Sequence, residues 1–171
     1  MNAVNTTIIK ELSKNSSVFE TLLIGLSKEE YLWKQSSAKW CLLEIICHLY
    51  DEEREDFRAR TKSVLETPSK TLTPFDPVGW VVQRNYIKMD YNTVLTRFLK
   101  ERRYSVVWLQ SLESPKWDNT FLHPNVGSMS ANLFLSNWLA HDYLHIRQII
   151  KLKFDYLKEI SGEKLNYAGE W

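Results

Sequence analysis

Apolar residues recur at intervals of three and four along four stretches of this 171-residue chain, and that spacing predicts amphipathic helices. The predicted helices cover about 5–25, 40–66, 90–112 and 130–160. Glycine and proline are scarce, at five residues each, which argues against a turn-rich all-β fold. Length and pattern together predict one all-α domain over residues 1–171.

The link between the second and third helices, residues 67–89, contains three of the five prolines. It is longer than a connection between antiparallel neighbours needs, so it is predicted to be a crossover that lets both helices run in the same direction. The stretch GWVVQRNY, residues 79–86, could form a short helix within it. Residues 113–128 form a second irregular connection, with either a short hairpin or turns alone. The prediction is a four-helix bundle with two long connections.

Charged residues at helical spacing predict which helix faces meet water. On the second helix, Asp51 and Glu53 fall on the predicted outer face. Two basic groups, KERRY at 100–104 and IRQIIKLK at 146–153, are also predicted to be solvated faces. Arg84 lies in the crossover, where it could instead reach an anionic substrate.

The charge balance excludes some classes of partner. Lys and Arg total 22 against 21 for Asp and Glu, so no net field favours nucleic acid or an anionic membrane. No apolar stretch approaches about 18 residues, and the first residues lack the basic and apolar regions of a signal peptide. Cys41 and Cys47 are too far apart around one helix to pair, which suits free thiols. We therefore expect a cytoplasmic protein that binds neither nucleic acid nor a membrane.

Two of the four histidines, His141 and His145, lie four residues apart in HDYLH on the fourth helix. An ideal helix separates such residues by about 40° and about 6 Å, so both rings can meet one ion or simply pack beside apolar neighbours. The glutamate of the HExxH zinc-protease motif is missing, because Asp142 follows the first histidine. Asn137 and Gln148 extend the pair into a polar strip, which inside a bundle is typical of a site.

His48, in an apolar run of the second helix, is the candidate third ligand. Burial there favours a neutral ring that either binds a metal or is satisfied by a backbone carbonyl. Glu44 and Glu52 lie one turn before and one turn after it, where a carboxylate could position a ligand or act as a base. His123, in FLHPN, is expected to be an ordinary loop histidine.

Three motifs now carry a family resemblance: KWCLLEIICHLYDEE at 39–53, FDPVGW at 75–80 and GSMSANLFLSNWLAHDYLHIRQI at 127–149. In this order, and over nearly the whole chain, they resemble the DinB superfamily of metalloenzyme-like proteins. The resemblance implies a four-helix bundle of up-down-down-up type. It also implies a three-histidine site that commonly holds nickel or zinc, with His48, His141 and His145 as the ligands.

Two classes of function fit these features. The first is a metal-dependent enzyme, for which the resemblance suggests hydrolysis or transfer of a low-molecular-weight thiol to an electrophile, acting on a small-molecule substrate with Glu44 or Glu52 assisting. The second is a non-catalytic, stress-related bundle that binds a ligand or partner around a structural metal. Zn or Ni is the expected ion, with Fe, Co or Mn also compatible with three imidazoles. A homodimer is compatible with either class.

Overall fold

The computed structural model describes residues 2–74 and 76–169, so Phe75 of the FDPVGW motif lies outside the described residues. The α-helices are α1 (Ala3–Leu23), α2 (Lys28–Leu32), α3 (Leu42–Asp51), α4 (Ala59–Glu66), α5 (Trp80–Gln83), α6 (Tyr91–Ser111) and α7 (Ala131–Ser161). The segment Glu52–Arg58, which joins α3 to α4, is π-helical and is called the π segment below. Short 3₁₀ turns cover Tyr86–Lys88 and Leu165–Ala168.

The long helices begin and end at residues that suit a helix terminus, either by bonding free backbone N–H groups or by adopting a left-handed conformation. Asn2, Asp90 and Ser130 each accept a hydrogen bond from the N–H group three residues later, which caps α1, α6 and α7. Gly162 ends α7 with φ +67°, a left-handed conformation that other residues adopt only at a cost. All four predicted long helices are thereby confirmed, the second as the continuous run of α3, the π segment and α4.

Cross-helix contacts fix the direction of each long helix. Helices α1 and α7 run parallel, because contacts pair residue 5 with 132, 15 with 142 and 22 with 153. Helix α6 is antiparallel to α1, because Tyr91 bonds the Leu23 carbonyl while Arg102 bonds the Leu12 carbonyl. The run from α3 to α4 is parallel to α6 and antiparallel to α7. The fold is therefore the expected up-down-down-up four-helix bundle.

The two long connections have the character that the sequence predicted. Residues 67–90 join parallel neighbours, and the short helix α5 lies within them. In the connection between α6 and α7, the hairpin alternative holds. Strands β1 (Thr120–His123) and β2 (Gly127–Ser130) pair antiparallel, with Thr120 opposite Ser130 and His123 opposite Gly127.

The core consists of two apolar clusters separated by a buried polar layer. One cluster includes Phe19, Leu49, Phe98 and Ile149. The other includes Leu12, Phe57, Leu109 and Trp138. Between them on the four helices lie Asn15, Glu53, Arg102 and Asp142, which are at most 5 % exposed. We call these four residues the polar layer.

Three charged residues predicted to face water are buried, so those predictions were wrong. Asp51 is 5 % exposed, Glu53 1 % and Arg102, from the KERRY group, 1 %. The π segment begins directly after Asp51, and its wider turn rotates the following residues away from their α-helical positions. Glu53 thereby reaches Arg102 at 2.8 Å, which offsets much of the cost of burying both charges.

Within the described residues, none of the helices combines the length and apolar character needed to cross a bilayer.

Candidate metal centre

Three histidines from two antiparallel helices converge on one point. His48 comes from α3, and His141 and His145 come from successive turns of α7. The Nε2 atom of His141 lies 3.2 Å from that of His48 and 3.0 Å from that of His145. All three ligand atoms lie within 4.8 Å of one another. The pair in HDYLH and the separate histidine of the second helix are thus brought together as predicted.

Aromatic side chains pack against two of the three rings. The Trp40 ring lies 5.0 Å from the His48 ring, and the Phe57 ring lies 4.9 Å from the His141 ring. His48 is 6 % exposed and His145 9 %, while His141 is partly accessible. The three rings are therefore largely shielded from solvent.

Burial keeps the three imidazoles neutral. Burial, reinforced by neighbouring His145, lowers the pKa of His48 to about 3. Burial and the two other histidines lower the pKa of His141 to about 2, and burial also lowers the pKa of His145. Neutral imidazole is the form that binds a metal, so the rings are ready to act as ligands at neutral pH.

The donor set fits a divalent cation. The Nε2 atom of His141 lies within 3.2 Å of both other Nε2 atoms, and three neutral imidazole nitrogens gathered at one point are a ligand set that divalent transition-metal ions accept. The outward Nδ1 atoms of His48 and His145 are buried without a hydrogen-bond partner. Among the described His, Cys, Asp and Glu residues, no fourth side chain joins the cluster. Three protein ligands leave positions for exchangeable ones, as catalytic sites require.

Glu44, one of the two predicted assisting carboxyls, is occupied at the start of α3. One of its oxygens accepts a hydrogen bond from the Cys41 N–H at 2.9 Å, and its carboxylate pairs with Lys34 at 2.7 Å. These contacts cap the helix that carries His48. Both contacts of the Glu44 carboxylate are thus made to groups other than the three histidines.

Glu52, the other predicted carboxyl, is buried at 4 % exposure in the π segment. Burial, together with neighbouring Asp56, raises its pKa above the ordinary range of a glutamate. Asp56 in turn pairs with Arg60 at 2.6 Å. The Oε1 atom of Glu52 has no hydrogen-bond partner among the described residues. A carboxyl with a raised pKa can transfer protons near neutrality, unlike an ordinary surface glutamate.

The remaining candidates differ in outcome. Asp142 faces away from the histidines and binds Arg102, as its position on the helix predicted. Asn137 is exposed and bonds the carbonyl of its own preceding turn, so it does not extend the polar strip into the core. Gln148 is also exposed, but it lies beside His145 in the adjacent cavity. His123 is the last residue of β1 rather than a loop residue, and its ring accepts two backbone N–H groups from the turn that follows.

Arg84 is engaged inside the protein. Its guanidinium pairs with both oxygens of Glu55 at 2.8 Å and with Asp51 at 2.6 Å, and it stacks on Trp80. These contacts tie the crossover to the second helix. They leave the suggested contact with an anionic substrate without support.

The histidine pKa values predict how the metal-free protein responds to acid. The unfolded pKa of histidine is about 6.5, so below that pH the unfolded chain binds protons that folded His48 and His141 do not. Each such group lowers the free energy of unfolding by about 1.4 kcal/mol for every unit by which the pH falls below that value. Glu52 opposes this trend, because its raised pKa lets the folded form hold an extra proton in the same range.

We therefore expect the free energy of unfolding to fall by about 1–3 kcal/mol per unit between pH 6.5 and pH 5. Urea unfolding with chelator present measures it. The variant Glu52→Gln serves as the internal control and should show a steeper fall, because it removes the opposing group. A free energy that stays constant or rises as the pH drops would contradict neutral, buried histidines.

Comparisons with known proteins agree with the four-helix fold. The family model of the DinB superfamily matches residues 11–149. A protein of Oceanobacillus iheyensis, named as an inferred metal-dependent hydrolase, is 25 % identical over 149 residues, which is 85 % of each chain. The solved structure of YfiT from Bacillus subtilis superposes with a TM-score of 0.78 at 16 % identity, covering 96 % of this chain and 91 % of that one. That structure is described as an unusual four-helix bundle and an inferred metal-dependent hydrolase.

Proposed function

Because the chain belongs to the DinB superfamily, we propose that it is a metal-dependent hydrolase centred on His48, His141 and His145. The observation that carries the proposal is the convergence of three neutral imidazoles with no fourth protein ligand among the described residues. Relatives named as inferred metal-dependent hydrolases support the same class of reaction.

We propose Zn or Ni as the native ion. Imidazole nitrogen suits both, and Fe, Co and Mn remain compatible with the same ligands. When bound, such an ion supplies Lewis acidity, which lowers the pKa of a water or thiol and yields a nucleophile near neutral pH. The three ligands carry no negative charge, so they leave the charge of the ion undiminished.

Glu52 is the residue that we propose for proton transfer. It follows His48 by one turn, its pKa is raised, and its Oε1 atom has no partner among the described residues. Glu44 is less suited to that role, because Lys34 and the Cys41 N–H already occupy its oxygens. We assign Glu44 to holding the start of α3 in place.

Transfer of a low-molecular-weight thiol to an electrophile is the second candidate. Of the two candidate carboxyls, Glu44 is occupied by Lys34 and the Cys41 N–H, so Glu52 is left to accept a proton. A thiol has an ordinary pKa of about 8.5, so it needs less help than water to ionise beside a cation. The cytoplasmic location and the homodimer both remain predictions.

Activity assays of the metal-loaded protein against two panels of substrates test the proposal. One panel contains activated esters and amides, and the other pairs small thiols with electrophiles. We expect turnover that requires the metal, and a loss of about a hundredfold in Glu52→Gln for the hydrolytic reaction. His123→Ala is the matched control and should retain full activity, because His123 lies in the hairpin.

The outcome separates the candidate functions. Metal-dependent ester or amide cleavage supports the hydrolase, and thiol consumption alone supports the transferase. A loaded protein that is inactive in both panels would contradict an enzymatic role and favour a binding module built around a structural ion.

A further inference from the structure

A cavity of about 490 Å³ opens beside His145, one of the three histidines of the candidate metal centre. His145 forms part of its wall, and so does Trp40, whose ring also contacts His48. The volume falls within the range of small-molecule sites. The cavity therefore reaches one of the metal ligands from the outside and can hold a molecule larger than water.

The wall of this cavity is positively charged. Lys39, Arg147 and Lys151 line it, and no acidic residue does. Asp155 pairs with Lys151 and reduces the charge at one side. Lys39 and Arg147 are exposed, and neither forms an ion pair with another described residue. The whole chain carries a net charge of only +1, so the positive charge of this wall is a local feature.

The rest of the wall is apolar or carries neutral amides. Trp40, Leu144 and Leu152 supply apolar and aromatic surface. Gln35 and Gln148 supply side-chain amides; one N–H of Gln35 donates to Asp155, and the other can donate to an oxygen anion. Apolar surface with a few convergent polar groups is typical of a site for a small organic molecule.

We propose that this cavity binds the substrate and selects a small organic acid, with a carboxylate or phosphate held by Lys39 and Arg147. The apolar body lies against Trp40 and Leu144, and the reacting group faces His145. The role of the cavity as a substrate site rests on the proposed metal-dependent reaction. The selection of an anion depends only on the cavity wall, which is complete without the ion.

Binding of three probes to metal-free and to zinc-loaded protein tests the proposal by calorimetry at low salt. The probes are 3-phenylpropionate, phenyl phosphate and the neutral 3-phenylpropanamide. We expect at least one acid to bind about tenfold more tightly than the amide, with or without zinc, and added NaCl to weaken the acids selectively. The acid that binds more tightly assigns the group as carboxylate or phosphate.

Charge-removing variants locate the binding. Lys39→Gln with Arg147→Gln should weaken acid binding by about twofold to fivefold for each cation lost, and should leave the amide unaffected. Arg97→Gln is the matched control, because Arg97 is an exposed arginine on α6, away from the cavity, and its loss should change nothing.

Two results would overturn the proposal. One is amide binding as tight as acid binding, and the other is acid binding that is lost without zinc or unchanged in the double variant. Failure of the protein to take up zinc would instead count against the proposed reaction. It would leave the metal-free measurements to decide the substrate class.

Discussion

Arg102→Met is expected to lower the free energy of unfolding by about 3–5 kcal/mol, the largest stability effect that we predict for one substitution. Arg102 is 1 % exposed and binds Asp142 through two hydrogen bonds, of 2.5 and 2.7 Å. It also donates to Glu53 at 3.0 Å. Removal of the guanidinium leaves two buried carboxylates without their cation, which costs more than the ion pairs themselves contribute.

The surrounding contacts make this layer a junction of all four long helices. Asn15 of α1 donates to Asp142 at 3.0 Å, and Trp138 of α7 donates to Glu53 at 2.9 Å. Although burial opposes its charge, Asp142 and Glu53 hold the pKa of Arg102 above its ordinary value. Asp142 follows His141 directly, so the same contacts fix the rotation of α7 that directs the histidines toward α3.

Urea unfolding of metal-free Arg102→Met beside Arg103→Met measures the effect. Arg103 is the matched control, because it is the exposed neighbour on the same helix and should change stability by less than about 0.5 kcal/mol. Addition of Glu53→Gln and Asp142→Asn to Arg102→Met should recover part of the loss, since these changes remove the unpaired charges. An Arg102→Met protein within 1 kcal/mol of the parent would show that the polar layer contributes little.

His145→Ala is expected to abolish stoichiometric metal binding. Substitution of a residue that hydrogen-bonds to a metal ligand weakens metal affinity by about tenfold to a hundredfold. Loss of one of the three ligands themselves should therefore weaken it by more than about a hundredfold. The reason is that two imidazoles remain, on different helices, and no other described His, Cys, Asp or Glu side chain joins them. Equilibrium dialysis with Zn or Ni, followed by metal analysis, measures the stoichiometry.

His123→Ala provides the control for that experiment. His123 lies in the hairpin and accepts the N–H groups of Asn125 and Val126, so its loss should leave one ion bound per chain. The circular dichroism of both variants should match the parent protein, because the helices do not depend on either ring. Full metal occupancy in His145→Ala would refute the assignment of the ligands.

Local sequence pattern predicted those features whose physical cause is local. The four long helices follow from helical spacing of apolar residues and from caps such as Asp90 and Gly162. The crossover follows from its length and its prolines. His48, His141 and His145 could be identified because motifs in a fixed order carry them, although the distance between them follows only from the antiparallel packing of α3 and α7.

The polar layer was missed because its cause is not local. Glu53 and Arg102 are 49 residues apart, and each alone is indistinguishable from a solvated helix residue. The π segment was missed because a single wider turn leaves almost no trace in a periodic pattern, yet it changes which face is buried. The sequence signal for this layer is the unbroken run of charged residues at positions 51–56. A helix that packs on three others cannot expose all six, so some of these charges had to be buried.

X-ray absorption spectroscopy of the zinc-loaded protein tests the central claim most directly, because it counts the ligands of the ion. We predict three imidazole nitrogens from His48, His141 and His145 and at least one light ligand that exchanges with added azide or thiol. A shell with fewer imidazoles, or one closed by a fourth protein ligand that added ligands cannot displace, would contradict a three-histidine catalytic centre.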